Sequence, residues 1–172
     1  GDPVITNIAA AADGLYVAAR NGAASTLFRI GTDGKSTPIK LSVTGSISPP
    51  EEGPGDLATD PRVPGAWAGV STWTTPAVWL TTGSGDTPDT TTNLGLAPAD
   101  TAQGDYVITE TTILARDNKT RLPLSIIEKR GTPHDHQQRV LVEGYGAYGI
   151  SEEPFARFVP VVRGWVDAGG VL

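Results

Sequence analysis

Tyr145 and Tyr148 sit in a glycine-rich run, Val140-Leu-Val-Glu-Gly-Tyr-Gly-Ala-Tyr-Gly-Ile-Ser151, with glycines at 144, 146 and 149. A phenol donates a hydrogen bond to developing negative charge, and a second aromatic ring can wall a pocket. Arg139 to Glu143, just before the glycines, is short and largely apolar, which suits a strand buried on both faces of a parallel sheet. The glycines permit positive φ and close backbone approach, so such a strand lifts the two rings above its C-terminal end. That edge is where open α/β sheets bind ligands. The plainer alternative makes both tyrosines ordinary aromatics at a strand end.

The other residue types that could carry chemistry are less well placed. A hydrolase nucleophile needs a Gly-x-Ser-x-Gly elbow followed by an acid and a histidine. Ser71 lies in Gly-Val-Ser-Thr-Trp without the second glycine, and Ser84 stands between glycines in a polar stretch with no strand-to-helix setting. His134 and His136 alternate in a charged loop, Arg130 to Gln138, where no third metal ligand converges, so the expectation is no metal and no cofactor. Asp86 and Asp89 lack the spaced oxygen ligands of a calcium loop. Trp67, Trp73 and Trp79 read as side chains packing on sheet faces, with an aromatic sugar platform as the alternative.

The elements that must position the tyrosines follow from pattern. Val4–Ala10, Leu15–Ala19, Thr26–Ile30 and Ser36–Val43 are strand-length apolar segments. Asp13-Gly14, Asn21-Gly22 and Asp33-Gly34 lie between them, dipeptides that favour tight hairpins. Such a meander suits one propeller blade or the edge of a sandwich. Residues 46–65 are dense in proline, glycine and acid and read as a connector, as do residues 83–100. Between them, residues 66–73 and 77–82 form a further strand pair turning at Thr74-Thr75-Pro76.

The domain boundary falls inside residues 94–104. Beyond it, residues 106–115 and 122–129 are long strands flanking a turn at Asp117-Asn118-Lys119. Residues 155–168 carry apolar side chains at 158, 161, 162, 165 and 166, one face of an amphipathic helix, with Pro160 in its first turn and Gly169-Gly170 after its end. Strand, glycine loop, helix and a new strand at Val171 make a βαβ unit and hence a parallel sheet.

Composition narrows the classes. With 21 glycines and 14 prolines among 172 residues the chain suits short strands joined by turns, and 38% hydrophobic content suffices for a core. A net charge of −6 without a basic cluster argues against a nucleic-acid partner. No apolar run reaches the ~18–20 residues of a membrane span, so a soluble protein, cytoplasmic or periplasmic, is the expectation. The chain has no methionine, opens on Gly1-Asp2 and stops at Gly169-Gly-Val-Leu172 as a strand begins. It reads as an excerpt of a larger polypeptide, with the remainder of that polypeptide as its partner.

Gly144-Tyr-Gly-Ala-Tyr148, followed by Gly-Ile-Ser, resembles the Gly-Tyr-Gly-Gly-Phe-Asn-Ile-Ser segment of the prolyl oligopeptidase family. Upstream, Asp105-Tyr-Val-Ile-Thr-Glu and Ala115-Arg-Asp-Asn-Lys-Thr-Arg-Leu-Pro-Leu are similar to that family's approach to its catalytic domain. Downstream, Gly169-Gly-Val-Leu172 resembles the start of its next sheet strand. The match is good from about Asp105 onward and weaker before it.

The resemblance implies a β-rich fold in which residues 1–98 are the C-terminal blades of a β-propeller, about two four-stranded blades. Residues 99–172 would then be the first strands and helix of an α/β-hydrolase domain. It implies a serine peptidase acting on short peptides after proline, its triad outside this chain and the chain alone inactive. Tyr145 matches the tyrosine whose hydroxyl forms half of the oxyanion hole, and Tyr148, where the family often has Phe, matches a ring lining the pocket for the residue before the cut. Gly144 and Gly146 are the loop glycines of that motif. A related oligopeptidase with a preference for basic residues, or a non-catalytic β-rich ligand-binding module, are the competing readings.

Overall fold

The computed structural model describes residues 3–47, 56–75, 77–83, 91–95, 105–146, 148, 152–154 and 159–172. β1 (Val4–Ala11), β2 (Gly14–Asn21), β3 (Ala24–Ile30) and β4 (Ser36–Ile39) form a four-stranded antiparallel sheet in chain order. In β2 the consecutive residues Tyr16, Val17, Ala18 and Ala19 are all buried, because this strand is covered on both faces. The first two hairpins turn one residue away from the dipeptides expected to form them. Gly14 and Asn21 pair in the ladder, with Ala11 and Ala24, leaving Ala12-Asp13 and Gly22-Ala23 at the corners. Gly14 is fixed there by space as well as by its φ of 136°, since a Cβ would lie 2.2 Å from the Ile30 carbonyl oxygen.

A second four-stranded antiparallel sheet contains β5 (Leu57–Ala58), β6 (Trp67–Val70), β7 (Val78–Thr82) and β8 (Thr91–Asn93). β6 and β7 are the expected pair. The two outer strands lie in stretches read as connectors, and that reading is corrected here. They are two and three residues long, too short for periodicity to register, and they exist because β6 and β7 offer them an edge to bond. The two sheets share one core containing Tyr16, Leu27, Ile39, Ile47, Leu57, Val70 and Leu80. Ser46 and Ser71 stitch the seam, exchanging backbone bonds of 2.8 and 2.9 Å.

The remaining elements form a smaller unit. β9 (Tyr106–Leu114) and β10 (Arg121–Lys129) pair along their full length around the expected turn. There the Asp117 carboxylate accepts from the Thr120 hydroxyl at 2.6 Å and from the Lys119 and Thr120 amides at 2.9 Å. These bonds, the Thr120 hydroxyl foremost, lower its pKa from the ordinary 3.8 to about 2.

α1 (Val159–Asp167) lays Val162 and Val166 on Ile127 and Tyr106. The Tyr106 hydroxyl donates to Asp167 at 3.1 Å, and the Arg163 guanidinium stands 5.4 Å from the Tyr106 ring. Pro160 lies in the first turn, as its missing N–H allows. The expected helix start at 155–158 lies outside the described residues. Val161 faces water, not the core, because the hairpin beneath covers only a narrow stripe of the helix. Among the described residues no helix is long and apolar enough to cross a membrane.

After the helix the chain returns between two partners. Leu172 exchanges backbone bonds of 2.8 and 3.0 Å with Ile127, and Val171 bonds in parallel with Arg139 and Leu141 at 2.8 and 2.9 Å. The lateral order is β9, β10, residues 171–172, then residues 139–141. The expectation of a strand buried on both faces at 139–143 is corrected. Val142 is 81% exposed and Val140 lies largely in water, because the parallel pairing reaches only one bridge and no described element covers either face.

Two tests follow from these contacts. Leu80→Ala removes a fully buried side chain from the shared core and should lower unfolding free energy by about 2–5 kcal/mol in denaturant titration. For Asp117 the folded pKa lies below the unfolded one, so its contribution is full above the unfolded value of 3.8 and is lost as pH falls through about 2. An NMR titration should place its carboxyl midpoint near 2, and Asp117→Asn should remove that acid-limb loss.

Candidate active-site edge

The glycine loop leaves the sheet where residues 139–141 end. On that side the strand is held by its bonds to Val171 and by Arg139, whose guanidinium donates to the Ala168 carbonyl at 2.9 Å and lies 5.4 Å from the Trp165 ring. Gly146 has a φ of 63°, the left-handed turn that glycine was expected to supply. A Cβ at Gly144 or Gly146 would meet nothing described within 4 Å.

The two tyrosines stand in the open. Tyr145 is 54% exposed and Tyr148 is 92% exposed, whereas Tyr16 and Tyr106 are 0% and 7% exposed. Tyr148 holds φ at 55°, a left-handed conformation that a bulky residue rarely adopts. Gly144 and Gly146 line a cavity of about 680 Å³ between the end of β2, the face of β10 and residues 140–144. Arg20, Glu143 and Glu152 supply charge to a wall that is otherwise made largely of apolar side chains and backbone. Neither tyrosine is among the described residues of that wall.

The remaining candidates disperse. Ser71 is buried and engaged with Ser46, far from a nucleophile's exposed elbow. Ser84, Asp86 and Asp89 lie outside the described residues. His134 bonds Glu128 at 2.9 Å at the surface. Trp73 joins the core under α1 and donates to Glu110 at 3.2 Å, Trp79 is half-buried, and Trp67 is exposed, contrary to the packing expected of it. β6 puts Trp67 on its outward side, where nothing described covers it.

Glu153 was assigned no role from the sequence. It is only 9% exposed; its carboxylate pairs with Arg20 at 2.9 Å and accepts the Ser46 hydroxyl bond. The signal available was small: a glutamate fixed before Pro154, and an arginine at the end of a strand whose neighbours are apolar. A charge this far from water is tolerated because it is paired.

No family model and no curated relative matches the chain. Solved structures do. Prolyl oligopeptidase B from Galerina marginata, bound to a macrocyclization substrate, superposes with a TM-score of 0.80 at 15% identity, over 99% of this chain and 23% of that one. A post-proline cleaving enzyme from Rickettsia typhi gives 0.72 at 16% identity, over 98% and 23%. Oligopeptidase B from Leishmania major gives 0.70 at 18% identity, over 99% and 24%.

The chain has the fold of part of a prolyl oligopeptidase. At these identities the likeness is one of fold, and the chain spans about a quarter of the length of the structures it matches. The antiparallel sheets match the propeller part of the prolyl oligopeptidase fold, in agreement with the resemblance read from the Gly-Tyr segment.

The exposures make a direct chemical check. Nitration of the folded chain should modify Tyr145 and Tyr148 well before Tyr16 and Tyr106, read by peptide mass spectrometry.

Proposed function

We propose that the chain is a piece of a serine-type oligopeptidase that cleaves short peptides after proline through an acyl-enzyme. Residues 1–98 would be propeller blades, and residues 99–172 would open an α/β-hydrolase domain. The nucleophile, acid and histidine belong to the rest of the parent polypeptide. The observation that carries this reading is Tyr145, a half-exposed phenol beside the left-handed Gly146, four residues after a segment bonded in parallel to Val171 beyond α1. Parallel pairing across a helix is the unit from which α/β sheets are built, and ligands bind at the carboxyl edge of such sheets.

The chemistry assigned to this edge is transition-state stabilisation. When a serine attacks the scissile carbonyl, the oxygen becomes an oxyanion, and the Tyr145 hydroxyl donates to it together with a backbone N–H beside that serine. The bond strengthens as charge develops, so it acts on turnover more than on binding. Tyr148 walls the site for the residue before the cut. Its left-handed backbone supports that role, because such strain persists where a side chain's position matters. The propeller blades would screen access, admitting short peptides and excluding folded proteins.

A preference for basic residues is the second reading, and one feature favours it. Glu143 and Glu152 both line the cavity and would attract a cationic side chain.

In the parent enzyme, Tyr145→Phe should lower kcat by about 10²–10³ with KM little changed. Unchanged kcat would remove the oxyanion role. Tyr148→Ala should raise KM for proline substrates, and an unaltered KM would mean that the ring lines no subsite. Chromogenic peptides differing only in proline or arginine before the cut decide between the two specificities.

A further inference from the structure

We propose that Trp73 is a positioning residue for size selectivity: it seats the hairpin–helix unit on the paired sheets, fixes the width of the cavity between them, and so limits the length of peptide admitted. Trp73 lies in the turn between β6 and β7, at the end of the second sheet. Local bonds hold that turn. The Thr72 hydroxyl accepts from the Thr75 amide at 2.9 Å and from the Thr74 amide at 3.3 Å, and it bonds the Thr75 hydroxyl at 2.6 Å. Hydroxyl-to-backbone bonds of this kind fix a turn from within. Ser71, Thr74 and Thr75 are buried. The indole among them is carried instead out of its own sheet and into the core of the other unit.

There the ring packs, with Trp165 and Leu172, against the cluster of Tyr106, Ile127, Val162 and Val166. Its N–H donates to one oxygen of Glu110 at 3.2 Å, while the Ser125 hydroxyl donates to the other at 2.7 Å. A large apolar body with one polar edge is what such a junction asks of a side chain. Trp73 thus grips β9, β10 and α1 from a backbone that belongs to the sheets. Among the described residues it is the one apolar side chain from the two-sheet part in that core. The same residue lines the cavity of about 680 Å³. Val4 and residues 20–23 form the wall that comes from the first sheet; β10, residues 140–144 and residues 171–172 form the wall that comes from the other unit. Trp73 is the one described wall residue from the second sheet. A side chain anchored in both parts sets how far apart their walls stand. Each part has a buried cluster of its own, so loss of this seat frees their relative motion before it unfolds either. This role rests on the peptidase reading given above, in which peptides reach the catalytic edge past the blades.

The test has a structural arm and a kinetic one. The chain has no cysteine, so Lys35→Cys and Lys119→Cys, both at exposed turns, accept a pair of spin labels that spans the two parts. The native chain should give one narrow distance distribution. Trp73→Ala should widen it about twofold, whereas Trp73→Phe, which keeps an aromatic body and loses only the N–H, should stay close to native. An unchanged width in Trp73→Ala would overturn the seat. In the parent enzyme Trp73→Ala should keep kcat and KM for a short chromogenic peptide within about twofold, and should raise kcat/KM for a peptide of about thirty residues roughly tenfold. A loss shared equally by short and long peptides would overturn the selectivity role and leave Trp73 as a general stabiliser. If the parent cleaves no peptide at all, the peptidase reading fails, while the label distances still decide whether Trp73 seats one part on the other. Should Trp73→Ala not fold, Trp73→Leu keeps part of the apolar contact and should shift both readouts the same way by less; no shift in either would overturn the proposal.

Discussion

Neither four-stranded sheet can bury a face alone, and their shared core is the contact on which the molecule rests. Tyr16 and Leu27 from one sheet, Val70 and Leu80 from the other, and Ile47 between them are sealed from water. Each buried leucine-sized side chain contributes about 1.5–3 kcal/mol relative to exposure. The seam beside them is polar but closed: Ser46 bonds Ser71 through the backbone, and Ser25 bonds Ile47. A buried hydroxyl at such a seam needs a partner, and a carboxylate from a distant part of the chain provides it. The Ser46 hydroxyl is thereby joined to Glu153, 107 positions away in sequence.

The second unit is built differently. Its hairpin has one helix for cover, and the buried cluster around Ile127 and Val166 is small. Ile108, Ile113, Leu114 and Leu122 lie exposed on the hairpin, and Val140 and Val142 on the segment beyond. Apolar side chains in this number along paired strands are surface that another layer would cover. The order of the unit, with residues 171–172 inserted between β10 and residues 139–141, means that the strand bearing the loop owes its place to the return of the chain through α1. Gly169 and Gly170 make that return possible. Gly169 holds φ at 82°, and a Cβ on Gly170 would fall 2.3 Å from the Trp165 indole nitrogen, which donates to the Val171 carbonyl.

Much of this architecture was legible in the sequence where elements were long. β1 to β3 and the β9–β10 hairpin were recognisable from apolar runs broken by glycine turns, and the Asp117 turn from its residue types. The left-handed turn of the glycine run was legible from its residue types, and Gly146 takes it at φ 63°. β5 and β8 were not legible, since strands of two and three residues carry no period and exist only as partners of β6 and β7. Trp67 misled for a related reason. A large ring implies burial on average, yet its strand turns that ring outward. Glu153 was hidden because its partners are 107 and 133 positions away in sequence, and no local pattern marks a long-range ion pair.

The loop itself shows how local and distant constraints combine. Gly146 takes its left-handed turn at no steric cost, but Tyr148 adopts nearly the same φ with a full side chain. Nothing described covers that ring, so burial does not compensate for the backbone conformation. Glycine at 148 would adopt it more easily. The tyrosine is held there against its own preference and left in water. That asymmetry, strain without local compensation, sets Tyr148 apart from an ordinary strand-end aromatic.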